Sequence, residues 1–337
     1  KGLGDRQHEF SYLENVMANE EKISGDCLRQ NVINQSLPLA FYSTSTAMSP
    51  LVWVTENKFV FEDGLAKYGA VLLRGFKKYD VQELEDFIRK TSGDLLTYRN
   101  RSTPRSLISG KIYTSTEYPA DQIIHQHNES CYTHEWPARL FFCCITAAMR
   151  GGETPISDSR KVLKRIPKEI VDRFERAGIT YLRTFTPGLG LTWQETFQIS
   201  DRVQMQKYCK KNNIVADWLT DGRLRIRQTL QATAVHPVTG ERVWFNQAHL
   251  FHVSSLPNEI RTELEKNHAL DELPRNAFYG DGDHIDDETV GSVRQAYEKE
   301  ESSYLWQEGD LLVIDNMLTA HGRKTFEGNR KIVVGMT

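Results

Sequence analysis

Three apolar runs set the first constraint on the fold: Ala70-Val71-Leu72-Leu73, Leu140-Phe141-Phe142-Cys143-Cys144-Ile145 and Leu311-Leu312-Val313-Ile314. Each is only a few residues long and apolar throughout, which suits a strand buried on both faces. The runs lie far apart in the chain, with amphipathic and polar segments between them. No internal repeat or low-complexity array is visible. Short strands from distant parts of the chain, with helices between them, predict a mainly β core flanked by helices, of the double-stranded β-helix (jelly-roll) kind.

Chemistry-bearing residues stand beside these runs. In an extended strand residues i and i+2 share a face, so the imidazole of His127 and the carboxylate of Glu129 can grip one ion. His321 follows the third apolar run after the turn signal Asp315-Asn316 and would supply a third ligand. Two histidines and a carboxylate leave the other positions of an ion open, the arrangement that suits non-haem iron(II) and dioxygen. His125 has the same strand parity and competes with His127, but one pleat further along it is too far to reach the same ion. A zinc deaminase also uses His-x-Glu, yet it needs a later Pro-Cys-x-x-Cys, which this chain lacks.

Four ordered blocks extend the pattern: Gly69-Ala70-Val71-Leu72-Leu73-Arg74-Gly75-Phe76, His127-Asn128-Glu129-Ser130, Gly151-Gly152-Glu153-Thr154-Pro155, and Asp315-Asn316 through His321-Gly322-Arg323 to Arg330. Together they resemble the taurine dioxygenase-like (TauD/TfdA, clavaminate synthase-like) iron(II)/2-oxoglutarate oxygenases, from about Trp53 to the end. The resemblance implies a jelly roll, His127, Glu129 and His321 as iron ligands, and 2-oxoglutarate and O2 as co-substrates. It also implies Arg330 and Thr154 as partners of the far carboxylate of 2-oxoglutarate. An arginine among apolar residues such as Ile332 and Val334 demands an anion, and a guanidinium binds a carboxylate bidentately. Arg323 is the competing arginine, with a loop or supporting role expected. Because Glu129 is kept where halogenating relatives carry a small residue, the resemblance implies hydroxylation of a C–H bond, or another hydrogen-abstraction outcome such as desaturation. A non-catalytic protein that kept the barrel and the metal is the alternative.

The context of Glu129 and His321 looks most like members that modify amino acids for peptide natural products, so a small-molecule substrate is expected, free or on a carrier protein. Asp281 and Asp283, in Phe278-Tyr279-Gly280-Asp281-Gly282-Asp283, are the candidates for holding a cationic group of it. A solvated acidic turn is the competing reading.

Within the 337 residues, positions 1–48 read as an irregular lead-in and 49–337 as one oxygenase domain, in which 185–223 is a lid insertion or a peripheral decoration. Asp80 and Glu83 form a capping-box pattern before a helix, Pro167 splits Asp158 to Ala177 into two short helices, and Ala232–His236 with Arg242–Asn246 reads as a hairpin. Arg275 to Asp283 reads as a loop between two charged helices, and Tyr98 to Tyr118 as extended segments whose polar side chains line the cavity. His249 and His252 lack a nearby carboxylate or cysteine and read as packing or substrate contacts. Net charge is −3 and the one compact basic cluster, Lys207, Lys210 and Lys211, fits a solvated helix face, so neither nucleic acid nor a membrane surface is an expected partner. Five cysteines without paired spacing suit reduced thiols, and a cytoplasmic location is expected.

Overall fold

The computed structural model of the chain describes residues 21–22, 28–97, 105–115, 118–188 and 190–337. At its centre the three apolar runs lie side by side, as Ala70–Arg74, Leu311–Asp315 and Arg139–Thr146, with Lys331–Met336 next in order. All three contacts between them are antiparallel, and Val313 pairs with Val71 on one side and Phe141 on the other. Alternation then sends successive residues to opposite faces. Val71, Leu73, Phe141, Cys143, Leu311 and Val313 pack under the helices Pro50–Glu56, Lys58–Tyr68 and Val81–Ser92. Leu72, Phe142, Cys144, Leu312, Ile332 and Val334 face the other way, toward Ile156.

Ile156 belongs to a second, smaller sheet of Ile156–Asp158, Thr319–Arg323 and Ile124–His127, with the His321 strand in the middle. The rings of His321 and Phe142 lie 5.2 Å apart, so the two sheets face each other across the site. This is the jelly roll, with helices on its outer surfaces. Behind the small sheet, Ser159–Arg165, Lys168–Ala177 and Asp287–Glu300 enclose a second core with Phe174, Trp244 and Tyr297.

Capping residues locate the helix ends as the sequence predicts. Asp80 and Glu83 make the reciprocal capping box of Val81–Ser92. Pro167 separates the two helices after Asp158, and Thr233–Val235 pairs with Arg242–Trp244.

Two expectations are corrected. The lead-in is not irregular throughout: Leu28–Val32 and Leu39–Ser43 are strands of the main sheet, and Leu39–Ser43 runs parallel to Ala70–Arg74. Burial of Leu39, Ala40 and Phe41 holds it there, whereas residues 1–20 and 23–27, Cys27 among them, lie outside the described set. Arg275 to Asp283 is not a plain loop, because Arg275–Tyr279 pairs with Ile179–Phe185 in a four-stranded sheet. The 185–223 stretch supplies that sheet with Val215–Trp218 and packs Phe185, Trp193, Phe197 and Met205 with Ile226 of the adjoining strand Leu224–Leu230. No described helix is long and apolar enough to cross a membrane.

Candidate metal centre

His127, Glu129 and His321 converge, each offering a ligand atom, and these atoms all lie within 4.8 Å of one another. His321 pairs directly with His127 across the small sheet, which fixes one histidine against the other. The strand carrying His127 ends at that residue, so strand parity does not place Glu129. Asn316 does. Its Oδ1 accepts from the Glu129 N–H at 2.7 Å, and its Nδ2 donates to the carbonyls of Glu129 and Pro137 at 3.0 and 2.8 Å. Asn128 returns a bond from its Nδ2 to the Asn316 carbonyl at 2.7 Å. The turn after the apolar run Leu311–Asp315 is thereby tied to the turn after His127, and the carboxylate is held over His321.

Gly322 allows the two strands to meet so closely. A Cβ there would stand 2.5 Å from the Ile124 carbonyl oxygen, at the register shift between His321 and Arg323.

Electrostatics favour ligands ready for a cation. Burial pushes the His127 imidazole below its usual pKa against the pull of Glu129, and pushes His321 well below it, with His127 and Arg105 adding to the effect. Nδ1 of His127 lies 2.9 Å from the His125 carbonyl, which can only accept, so Nδ1 carries the proton and Nε2 is the free donor atom. His125 itself is exposed and enters the site through its carbonyl alone. Nδ1 of His321 is buried without a hydrogen-bond partner among the described residues. Two neutral imidazoles and one carboxylate fit an iron(II) ion on one face.

The cavity beside the cluster is lined by His127, His321, Phe142, Thr154, Arg330 and Arg105 among others. Arg330 stands at the start of the Lys331–Met336 strand and donates from Nε to the Gly152 carbonyl at 2.9 Å. Burial, with Arg323 second, pushes its pKa down to about 10. Gly152 has φ of +76°, and a Cβ on it would lie 2.9 Å from the Arg330 Cδ. Thr154 Oγ1 accepts from the Trp306 indole at 3.1 Å, which leaves its own proton for another acceptor. Arg323 donates to the carbonyls of Tyr118, Pro119 and Gln122, so it pins the loop ahead of His127.

Asp281 and Asp283 do not join this cluster. Both are exposed and both pair with Arg173, at 2.6 and 2.7 Å, because the strand Arg275–Tyr279 carries them toward the helix Lys168–Ala177. Sequence reasoning also missed Arg105. Its Nη2 lies 2.7 Å from Glu129 Oε2 in a fully buried pair. Nothing in the Arg-, Ser- and Thr-rich stretch Tyr98 to Tyr118 distinguished it, and residues 98–104, 116 and 117 of that stretch lie outside the described set.

His249 and His252 lie outside the metal cluster. His249 donates to the Gln126 carbonyl and His252 to the Ile285 carbonyl, both at 2.9 Å.

Comparison with known proteins agrees with this geometry. The sequence profile of the taurine catabolism dioxygenase TauD, TfdA family matches residues 49–337. The dapdiamide synthesis protein DdaC of Enterobacter agglomerans is 43% identical over 272 residues, covering 81% of this chain and 83% of that protein. A clavaminate synthase-like protein of Arabidopsis thaliana is 28% identical over 294 residues, 84% of this chain and 86% of that one. Among solved structures, PvcB of Pseudomonas aeruginosa superposes with a TM-score of 0.55 at 14% identity, over 95% of this chain and 94% of that chain. A second PvcB structure, described as an Fe, alpha-ketoglutarate-dependent oxygenase from an isonitrile synthetic pathway, gives 0.52 at the same identity and coverage. The chain belongs to the TauD/TfdA family and is a non-haem iron oxygenase dependent on 2-oxoglutarate.

Proposed function

We propose that this oxygenase hydroxylates an unactivated C–H bond of an amino acid or amino-acid-derived substrate, free or tethered to a carrier protein, with succinate and CO2 as co-products. The observation that carries the reading is one cavity holding both His127–Glu129–His321 and the Arg330–Thr154 pair. In it His127, Glu129 and His321 would hold iron(II), and Arg330 with the Thr154 hydroxyl would receive the far carboxylate of 2-oxoglutarate. When bound, iron(II), 2-oxoglutarate and O2 would supply the oxidising chemistry at the C–H bond. The chain's own residues bind, orient and shield. Asn316 keeps Glu129 beside the two histidines, Arg105 pairs with the buried carboxylate at Oε2, and Phe142 closes the wall beside His321.

The 43% identity to a dapdiamide synthesis protein supports a substrate from a biosynthetic pathway, and the retained Glu129 supports hydroxylation over halogenation. Four buried thiols, Cys131, Cys143, Cys144 and Cys209, suit a reducing cytoplasm.

The test is an anaerobic titration with iron(II) and 2-oxoglutarate, followed by a screen of free and carrier-tethered amino acids for succinate formation in air. Substrate-stimulated succinate with an oxygenated amino-acid product is the expected result. Stimulation only by compounds of another class would overturn the substrate assignment, and failure to bind 2-oxoglutarate would overturn the site.

A further inference from the structure

The hairpin of Thr233–Val235 and Arg242–Trp244 turns one side to solvent, with Val235, Val238 and Arg242 exposed. Its inner side is buried: Val243 and Phe245 pack with Cys131, Met317 and Leu318 in one apolar cluster. Cys131 stands two residues after Glu129, and Met317 directly follows Asn316. The hairpin therefore rests on the two turns that carry the metal carboxylate and the asparagine tied to it.

Hydrogen bonds join the same parts. Gln247, just past the hairpin, donates from Nε2 to the Asn128 carbonyl at 2.8 Å. That carbonyl shares a planar peptide group with the Glu129 N–H, which donates to Asn316 Oδ1 at 2.7 Å. The peptide leading into the carboxylate is thus held at both polar ends. Gln247 is 4% exposed and is anchored by its own N–H, which donates to the Tyr181 hydroxyl at 2.9 Å. In the hairpin turn, His236 Nδ1 accepts from the Thr239 N–H at 3.1 Å, so Nε2 carries the proton and donates to Asp315 Oδ2 at 3.0 Å. Asp315 Oδ1 accepts from the N–H groups of Met317 and Leu318, both at 3.0 Å, and so shapes the turn at Asn316.

We infer that this hairpin braces the metal carboxylate, with Gln247 and His236 as positioning residues. Neither belongs to the metal cluster. They act on Glu129 from the two ends of one linkage, Gln247 through the 128–129 peptide and His236 through Asp315 and Asn316. The inference rests on His127, Glu129 and His321 being the metal ligands. Since the strand Leu224–Leu230 runs on into the hairpin, the same brace joins the four-stranded sheet to the metal site.

Cobalt(II) takes nitrogen and oxygen ligands as iron(II) does, and its visible absorption reports their geometry. Titrating it into the full chain gives a Kd and a spectrum for the parent, Gln247→Met, His236→Leu and Thr184→Val. Thr184 lies in the four-stranded sheet, and its buried hydroxyl donates to the Leu273 carbonyl at 3.1 Å, so Thr184→Val loses a buried hydrogen bond away from the brace. Gln247→Met and His236→Leu each raise the Kd by about tenfold or more, the usual loss when the partner supporting a metal ligand is removed, and alter the spectrum. Thr184→Val keeps the parental Kd and spectrum even as its melting temperature falls. Tyr181→Phe removes only the hydroxyl that anchors Gln247, and it shifts Kd and spectrum the same way, so the outcome stays decidable should the other two variants fail to fold. Parental Kd and spectra in Gln247→Met, His236→Leu and Tyr181→Phe overturn the inference. So does an equal change in Thr184→Val, which makes the effect a general loosening. A parent that binds no cobalt(II), or a His321→Ala variant that binds it as the parent does, instead overturns the ligand assignment on which the inference rests.

Discussion

At the scale of single residues, the site separates groups that bind from groups that hold. His127→Ala, Glu129→Ala and His321→Ala each remove a metal ligand and little core volume, so substrate-dependent succinate formation should vanish while the circular dichroism spectrum stays native. Full activity in any one of them would take that residue out of the triad. The two arginines of the cavity differ in their neighbours. Arg330 has the Gly152 carbonyl and the Ser115 hydroxyl, whereas Arg323 is held by three loop carbonyls through its two terminal nitrogens. Arg330→Gln is therefore expected to raise the KM for 2-oxoglutarate by about a hundredfold or more, equivalent to ~3 kcal/mol on the scale of broken buried ion pairs. Arg323→Gln should instead lower stability. The reverse pattern would exchange their roles. Asn316 is wholly buried and satisfies the backbone on both sides of Glu129. Asn316→Ala orphans those groups, so a loss of about 1–3 kcal/mol in urea unfolding is expected, together with weaker metal binding.

At the scale of elements, the close approach of the Gly151-Gly152 turn to the Arg330 strand is a further prediction. Gly152→Ala puts a methyl group onto Arg330 at a left-handed backbone position, and it should raise the KM for 2-oxoglutarate more than it lowers the melting temperature. A parental KM would mean that Arg330 has room to move. What the sequence made legible at this scale follows from signal strength. The three apolar runs are strands because nothing but the core can take four to six consecutive apolar residues at that length. The capping box at Asp80 and the break at Pro167 are local chemistry, and they hold locally. The strand Leu39–Ser43 is hidden in the sequence, since it follows a polar stretch and is fixed by pairing with Ala70–Arg74 on one side and Leu28–Val32 on the other, partners that local pattern does not reveal. Likewise Arg275–Tyr279 is a strand because Ile179–Phe185 offers it an edge. The same reason explains the site. His127, Glu129, His321, Arg330 and Thr154 were legible as an ordered motif, whereas Arg105 and the partners of Asp281 and Asp283 depend on long-range packing. With Arg173 facing both aspartates, Asp281→Asn and Asp283→Asn are expected to leave the KM of the identified substrate at the parental value, and a large rise would return them to the site.

At the scale of the whole molecule, the metal centre and the core behind it make the fold sensitive to acid. Burial lowers the pKa of His127, His249, His252 and His321 below the ordinary imidazole value, with His249 pushed down to about 3. Above about pH 6.5 these imidazoles are neutral in both folded and unfolded chains, and they add no pH dependence. As the pH falls below that value the unfolded chain takes up protons that the folded chain refuses, so the stability present at neutral pH is progressively lost until the folded pKa is reached. Each such histidine contributes a slope of at most about 1.4 kcal/mol per pH unit. Urea unfolding in the presence of a chelator, which removes the separate contribution of bound metal, should therefore show stability falling between pH 7 and pH 5. His249→Gln keeps a polar side chain in place but cannot take up the proton, so it should flatten the slope by up to one histidine's share while lowering stability at pH 7. A stability that is level across that range, or a His249→Gln slope equal to the parental one, would show that the buried imidazoles find protonated states the folded chain tolerates.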